Sequence, residues 1–358
     1  MFESTLRADY PWLTAGAPIV IGAPMMRISM AKLSVAVSAA GGIGFLAAGF
    51  DLSGLSGDLT QVRDLLKSIT ITTKDDILPI GVGFQNWGAD MQLAINALAE
   101  HPVAAVWFFA PKQLSDLMAW TKVIRESSGG RTKIWIQVGT VGEALEVAKT
   151  SKPDVLVVQG SDSGGHGIAQ RASIVTLLPE VADVLAKEGV STPLIAAGGI
   201  LDGRGSAAAL ALGADGICLG TRLLACEEAV IAKGYQDEIL RVSDGGVSTV
   251  STKIYDAVRG IQGWPDAYTG RGVANQSYLD HLQGMDDVEN AALYKGAVEQ
   301  GDAGWGPSGR MTTYAGTGVG LVTSVKAARE IVTEVQRDAV SILSRSASRF
   351  AQGLRNRL

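Results

Sequence analysis

Cysteine is scarce in this chain, since only Cys218 and Cys226 occur among its 358 residues. Two thiols exclude a disulfide framework and favour a reducing compartment. Charge is also sparse, because Asp, Glu, Lys and Arg together make up 19% of the residues and the formal net charge is −5. A chain of that charge lacks the basic footprint of a nucleic-acid-binding protein. No group of His and Cys residues has metal-ligand spacing, so we expect no bound metal.

Long hydrophobic runs are missing as well, although 47% of the residues are apolar. A membrane-spanning helix needs about 18 or more apolar residues in a row, so we expect none. The N-terminus carries acidic residues and no apolar core, which excludes a secretory signal. The last three residues, Asn356, Arg357 and Leu358, resemble the Ser-Lys-Leu peroxisomal address only weakly. We therefore expect a soluble cytoplasmic protein, with a peroxisomal location as the alternative.

Eight short apolar runs recur along the first 220 residues, and glycine or proline punctuates them. Such runs are non-alternating and often β-branched, which is typical of strands buried on both faces. Helix-period segments separate the runs, and this alternation predicts βαβ units in a parallel sheet. Eight units are the number in a closed (β/α)8 TIM barrel. The runs are 18–23, 42–47, 78–83, 103–108, 133–138, 154–159, 193–197 and 216–219.

A doubly wound sheet is the competing α/β fold, and it would carry a glycine fingerprint after its first strand. Here the first run is followed instead by Pro24, Met25 and Met26. This difference favours the barrel.

The strand pattern stops at about residue 225 and does not return before residue 310. Helix-like pieces at 227–239 and 286–301 occupy this stretch, and a final helix is predicted over 324–345. We therefore expect a late, mostly helical insertion that covers the C-terminal face of the barrel. The expected division is a barrel domain formed by 1–224 and 311–358, and a lid domain formed by 225–310.

Glycines follow the last two predicted barrel strands, where barrels commonly bind phosphate. Backbone N–H groups at Gly198, Gly199, Gly220 and Thr221 could surround phosphate oxygens with no side chain in the way. The same glycines would also suit tight turns that bind nothing. The sequence therefore predicts a phosphate site and leaves the turn interpretation open.

His166 is one of only three histidines, and it follows the sixth predicted strand between Gly165 and Gly167. In that loop we expect its ring to project into open space above the barrel. An ordinary histidine pKa of about 6.5 suits a general base near neutral pH. A turn histidine without a role is the alternative.

Three motifs in this order and spacing resemble the nitronate monooxygenases, formerly called 2-nitropropane dioxygenases. They are Gln159-Gly160 with Gly164 to Gly167, then Ala196 to Ile200, then Leu219 to Thr221. The resemblance spans about residues 18–221 and returns weakly at 315–321. It departs from the family at Asp162-Ser163, where members often carry Glu-Ala, and at Gly167, where many carry arginine.

The resemblance implies an FMN-dependent (β/α)8 barrel that oxidises alkyl nitronates, and nitroalkanes, with O2. The products would be a carbonyl compound and nitrite, and His166 would be the catalytic base. The resemblance implies no partner beyond these small molecules, and nothing in the residues determines an oligomeric state. The FMN-binding residues that it implies are Ala23, Pro24, Met25, Gln137, Gln159, Gly164, Gly165, Ala197, Gly198, Gly199, Gly220, Thr221, Tyr314, Gly316 and Thr317.

Two other functions fit the same residues. One is an NAD(P)H-dependent FMN reductase of the quinone or enoyl reductase type, because a nicotinamide stacked on the flavin needs no fingerprint of its own. The other is a barrel that binds a phosphate ligand without redox chemistry. The loosely matching stretch 225–310 is where substrate selection would lie.

Overall fold

A closed barrel of eight parallel strands forms the centre of the molecule in the computed structural model, which describes residues 2–73 and 76–355. The strands are β1 Ile19–Gly22, β2 Ile43–Gly49, β3 Leu78–Gln85, β4 Val103–Phe109, β5 Lys133–Val138, β6 Val155–Gln159, β7 Gly165–Ile168, β8 Leu194–Ala197, β9 Gly216–Leu219, β10 Thr249–Thr252 and β11 Tyr268–Val273. Eight of these close the barrel in the order β1-β2-β3-β4-β5-β6-β8-β9. Each predicted run overlaps one barrel strand, and the (β/α)8 prediction is confirmed.

Helices surround the barrel and build the late insertion. They are α1 Phe2–Asp9, α2 Ala31–Ala39, α3 Leu55–Leu66, α4 Met91–Glu100, α5 Asp116–Ser128, α6 Val141–Thr150, α7 Ile174–Lys187, α8 Gly203–Ala211, α9 Thr221–Leu224, α10 Lys233–Arg241, α11 Gly245–Ser248, α12 Ile254–Val258, α13 Gln276–Leu282, α14 Asp287–Glu299 and α15 Ala328–Arg355. Two 3-10 turns, Gly301–Gly304 and Val319–Leu321, complete the set. The peroxisome-like tripeptide 356–358 lies outside the described residues.

The barrel interior is filled by side chains and is closed at the amino ends of its strands. Phe45, Trp107 and Trp135 project inward and pack edge-on or stacked against one another, with ring centroids 5.1 to 6.1 Å apart. Tyr10, which follows α1, covers this cluster, and Trp135 Nε1 donates a hydrogen bond of 2.7 Å to its hydroxyl. Because bulky side chains block this end, open space is left only toward the carboxyl ends of the strands.

The late insertion differs from the prediction in one respect, because it contributes two strands to a small antiparallel sheet. That sheet has the order β10-β11-β7, and β7 comes from the loop that follows β6. The three strands read TVST, YTGRGV and GHGI, so they are polar or glycine-rich and short. A search for buried apolar runs misses such strands, because their residues are mostly polar or glycine rather than a continuous apolar run. The remainder of 225–310 is mostly helical, as predicted.

Two helix predictions are right in place but wrong in extent, whereas the piece predicted at 286–301 corresponds to α14. The piece predicted at 227–239 begins at Lys233, and the final helix runs from Ala328 to Arg355. Helix α15 packs on α8, where a Cβ added to Gly203 would lie 2.5 Å from the Cβ of Asp338. Only glycine allows the two backbones to approach this closely. Across the described part of the chain, no helix has the length and apolar character needed to cross a membrane.

Candidate active site

A cavity of about 630 Å³ opens at the carboxyl ends of the barrel strands. Its floor and lower wall come from the ends of β1, β2, β3, β4, β5, β6, β8 and β9. Its upper wall comes from the late insertion, through residues that include Tyr235, Arg259, Trp264, Tyr294 and Trp305. The barrel and the insertion therefore enclose the site together.

Most of the residues predicted for the site line this cavity. Gly316 and Thr317 do not, and Gly316 lies one contact behind the wall. The Gly316 N–H donates to Thr221 Oγ1 at 2.9 Å, and Thr317 Oγ1 donates to Asp162 Oδ1 at 3.1 Å. Gly316 therefore supports the wall rather than forms it, and Thr317 fixes Asp162, the residue before the lining Ser163. The predicted residues that line the cavity are His166, Ala23, Pro24, Met25, Gln137, Gln159, Gly164, Gly165, Ala197, Gly198, Gly199, Gly220, Thr221 and Tyr314.

The glycines at this end of the barrel serve different structural purposes. Gly198 and Gly199 have φ values of +104° and +74°, a region that favours glycine. At Gly164 an added Cβ would lie 2.4 Å from the backbone of Ala315 and Gly316, so this glycine permits close loop packing. At Gly220 an added Cβ would contact only Ala23, at 3.8 Å. Room for a side chain therefore exists at Gly220 within the protein itself.

His166 is enclosed rather than projecting into open space, so that expectation is wrong. Its ring stacks on Trp264 with centroids 3.8 Å apart and planes inclined by 3°. Its Nε2 lies 2.8 Å from Asp256 Oδ2 and 3.0 Å from Oδ1, and both side chains are only 11% exposed. The enclosing residues come from the insertion, which folds over the β6–β7 loop and pairs β11 with β7.

Asp256 is in turn held by Tyr314. Burial, followed by the nearby Asp256 carboxylate, raises the pKa of the Tyr314 hydroxyl well above its ordinary value. The hydroxyl therefore stays protonated and donates to Asp256 Oδ1 at 3.2 Å. Arg259 Nη1 donates to the same hydroxyl at 3.3 Å. The result is a continuous chain of hydrogen bonds from Arg259 through Tyr314 and Asp256 to His166.

The loop between β6 and β7 is fixed by a partly buried arginine. Arg171 Nε donates to the carbonyl of Gly160 at 3.1 Å, and its Nη2 donates to Ser163 Oγ at 2.8 Å. Its Nη1 contacts the carbonyl of Ile168. Burial, together with the nearby Arg271, lowers the pKa of Arg171 to about 10, so it stays charged near neutral pH. Its three contacts tie both ends of the segment that carries His166.

Several polar atoms in the cavity wall have no hydrogen-bond partner within the described chain. They are Gln85 Oε1, Trp305 Nε1 and Thr312 Oγ1, and all three are buried. A buried polar atom without a partner costs about 1–3 kcal/mol. A bound polar molecule that satisfied these atoms would remove that cost, so the wall is suited to a ligand with both donors and acceptors.

Thiol and metal chemistry receive no support from this site. Cys218 lines the cavity floor, but burial raises the pKa of its thiol far above the ordinary value, so it is not a thiolate at neutral pH. Among residues 2–73 and 76–355, no group of three or more His, Cys, Asp or Glu side chains is placed to hold a metal ion.

Comparison with known proteins decides the family. A sequence model described as nitronate monooxygenase matches residues 95–338. The nitronate monooxygenase npaC of Metarhizium robertsii is 45% identical and covers 96% of each chain. The chain belongs to the nitronate monooxygenase family. It is accordingly an enzyme, and its class is that of the oxidoreductases.

One further relative agrees with this membership, and one solved structure agrees with the fold. A nitronate monooxygenase of Neurospora crassa is 36% identical over 91% of this chain and 90% of its own length. The solved structure of a nitroalkane oxidase from Streptomyces ansochromogenes superposes with a TM-score of 0.71, at 23% identity, covering 96% of this chain and 99% of that one. At such identity the superposition supports the fold alone.

Sequence reasoning missed three residues of the site in this member of the family. Asp256, Arg259 and Trp264 all lie in the insertion, in short elements with no motif around them. Trp264 stands in a Gly-Trp-Pro sequence, and such an aromatic residue in a polar loop is the one signal that could have pointed to the site. The approach of Asp256 to His166 spans 90 residues of chain, and no local pattern predicts it.

Proposed function

We propose that the chain oxidises alkyl nitronates, and neutral nitroalkanes after deprotonation, using bound FMN and O2. The products are a carbonyl compound and nitrite. The observation that carries this proposal is His166, a histidine on the wall of the cavity whose ring is fixed by Asp256 and Trp264. A fixed imidazole beside a partly enclosed, largely apolar space is suited to taking a proton from a bound substrate.

The residues of the cavity fit FMN. Gly198, Gly199, Gly220 and Thr221 line the cavity, and beside Gly220 the backbone faces open space, as a phosphate requires. The unpartnered Gln85 Oε1 and Thr312 Oγ1 match the donors and acceptors of a flavin ring or its ribityl chain. Ala23, Pro24 and Met25 supply an apolar surface for a flat ring. When bound, FMN would accept the electrons of the substrate and pass them to O2.

The residues of this chain would bind, orient and deprotonate the substrate. His166 would take the Cα proton of a neutral nitroalkane, or orient a nitronate that arrives already ionised. Arg259 lines the same cavity, and its positive charge favours an anionic substrate there. The apolar walls of the insertion limit the entry of water.

A visible absorption spectrum and a nitrite assay test this proposal. We expect the purified protein to carry a flavin band, or to gain one when FMN is added. Addition of propyl-2-nitronate without O2 should bleach that band, and air should restore it with release of nitrite. A protein that binds FMN but leaves the nitronate unchanged would contradict the proposal.

The two alternative functions predict other results in the same assay. Rapid bleaching by NADH or NADPH without O2 would favour an FMN reductase. A protein that stays colourless after addition of FMN would favour a phosphate-binding barrel without redox chemistry. Neither alternative gains support from a specific contact in the cavity.

The division of the chain into a barrel of 1–224 and 311–358 and a lid of 225–310 is part of the proposal. Its support is that the upper wall of the cavity, including Tyr235, Arg259 and Trp264, comes from 225–310. We also propose the cytoplasm as the compartment, because Cys218 and Cys226 are both free and buried.

A further inference from the structure

Asp256 contacts His166 from outside the cavity. It does not line the cavity wall, and it faces a separate surface cleft together with Lys253 and Asp266. Its two carboxylate oxygens lie 3.0 and 2.8 Å from Nε2 of His166. A substitution at Asp256 therefore reaches the cavity through the two side chains it contacts, the His166 ring and the Tyr314 hydroxyl.

The other ring nitrogen of His166 is the one that a substrate can reach. Nδ1 has no hydrogen-bond partner in the described chain, and it is not among the buried polar atoms. Trp264 covers one face of the ring, and an added Cβ at Gly270 would lie 3.3 Å from Nε2. With Nε2 held by a carboxylate, Nδ1 is left as the nitrogen that meets a molecule in the cavity.

We propose that Asp256 is the positioning residue of His166 and that Nδ1 is the proton-accepting atom. A carboxylate can only accept, so it holds the neutral ring with its proton on Nε2 and its lone pair on Nδ1. In the step itself the substrate Cα–H bond breaks and the proton bonds to Nδ1. The electron pair stays on the substrate as the nitronate, and Asp256 stabilises the imidazolium. This inference rests on the proposed function.

Tyr314, which accepts a hydrogen bond from Arg259, holds the Asp256 carboxylate in position. The Tyr314 hydroxyl donates to Asp256 Oδ1, which fixes the carboxylate against rotation. Both oxygens of Asp256 stay within hydrogen-bond reach of Nε2, so the ring keeps one orientation. The cavity therefore presents the same nitrogen to every substrate molecule.

The variant Asp256→Asn tests the proposal through two substrates. Its amide N–H can donate to Nε2, which places the proton of the ring on Nδ1 and removes the lone pair from the cavity. We expect kcat/KM with neutral nitroethane to fall by about 10²- to 10⁴-fold, the usual worth of a general base. With preformed ethyl nitronate, which needs no deprotonation, we expect a loss below about tenfold.

A matched control comes from the other histidine–aspartate pair of the chain. Asp287 lies 3.4 Å from His281 on the surface, and Asp287→Asn should leave both activities unchanged. Asp256→Glu keeps a carboxylate and should recover part of the nitroethane activity. Equal losses of Asp256→Asn on both substrates would indicate a merely structural role and overturn the proposal. Unchanged activity on nitroethane would overturn it too.

A spectroscopic measurement tests the same proposal without any turnover. The chain has three histidines, so ¹⁵N-histidine labelling gives few signals, and His166→Ala identifies those of His166. We expect the proton on Nε2 in the wild type and on Nδ1 in Asp256→Asn. A wild-type proton on Nδ1 would overturn the proposal. If the tautomers are as expected but wild-type enzyme leaves nitronates unchanged, the proposed function fails and the assignment of Asp256 stands.

Discussion

His166 and Gly220 illustrate how differently single residues can be predicted. The sequence placed both at strand ends, and both line the cavity. The neighbours of His166 were not predictable, because Asp256 and Trp264 reach it only after the insertion folds back. Gly220 needs no such partner, because what matters there is the missing side chain. Predictions at this scale therefore concern one side chain or its absence.

Replacement of His166 by alanine should separate chemistry from cofactor binding. We expect His166→Ala to retain FMN and to lose turnover of neutral nitroalkanes by about 10²- to 10⁴-fold, because the general base is gone. The nitrite assay measures the loss, and the absorption spectrum measures the retained flavin. His281→Ala is the control, since His281 pairs with Asp287 on the surface. Unchanged turnover in His166→Ala would remove this residue from the mechanism.

Replacement of Gly220 by valine should block the phosphate. Because an added Cβ there would contact only Ala23, at 3.8 Å, the protein itself can accommodate it, whereas a phosphate bound beside Gly220, as proposed, would meet the new side chain. We expect Gly220→Val to fold normally and to lose most of its flavin on gel filtration. Gly142→Val is the control, because nothing lies within 4 Å of a Cβ at that position. Normal flavin retention in a folded Gly220→Val would place the phosphate elsewhere.

At the scale of elements, the site depends on the small sheet β10-β11-β7, whose strands contain no apolar run that would predict them. Strand β7 carries His166 and pairs with β11 of the insertion, where Gly270 lies opposite His166. An added Cβ at Gly270 would be 2.8 Å from the Tyr314 ring. Glycine at position 270 therefore allows the rings of Tyr314 and His166 to pack against strand β11. Arg171 then holds the loop before β7 to the barrel.

Loss of the Arg171 side chain should loosen this element and impair all turnover. Arg171→Ala removes the donor to Ser163 Oγ and one of the two donors to the Gly160 carbonyl, which also accepts from the Ser163 N–H, at a cost of about 1–3 kcal/mol. A displaced His166 loop should lower kcat/KM by about 10²-fold, for nitronate and nitroalkane alike. Steady-state kinetics on both substrates check this expectation. Arg204→Ala is the control, since among the described residues the Arg204 side chain pairs with the neighbouring Asp202 alone. A loss confined to nitroalkane would contradict this account.

At the scale of the whole molecule, the residues that stabilise the barrel interior and the residues of the site lie at opposite ends of the barrel axis. Tyr10 and Trp135 close the amino end, whereas the cavity occupies the carboxyl end. The large side chains at the amino end fill the barrel interior, which is necessary because the strands are buried on both faces. Substitutions at the closed end should therefore change the free energy of unfolding and leave the site intact.

The variant Tyr10→Phe tests this separation. It removes the acceptor of the Trp135 Nε1–H and leaves a buried donor unpaired, which costs about 1–3 kcal/mol. Urea denaturation should show that loss, while kcat/KM with nitronate stays within experimental error of the wild type. A drop in kcat/KM without a drop in stability would show that the two ends are coupled.

The barrel and its glycine-lined strand ends follow from the sequence by itself. Buried parallel strands and tight βα turns are local patterns, so runs such as 154–159 and pairs such as Gly198-Gly199 can be recognised from neighbouring residues. Only the tertiary structure decided how His166 is held. Its contacts with Asp256 and Trp264 join polar, short elements about 90 residues apart in the chain. Such contacts depend on how the insertion packs on the barrel, and no periodicity in the chain encodes that packing.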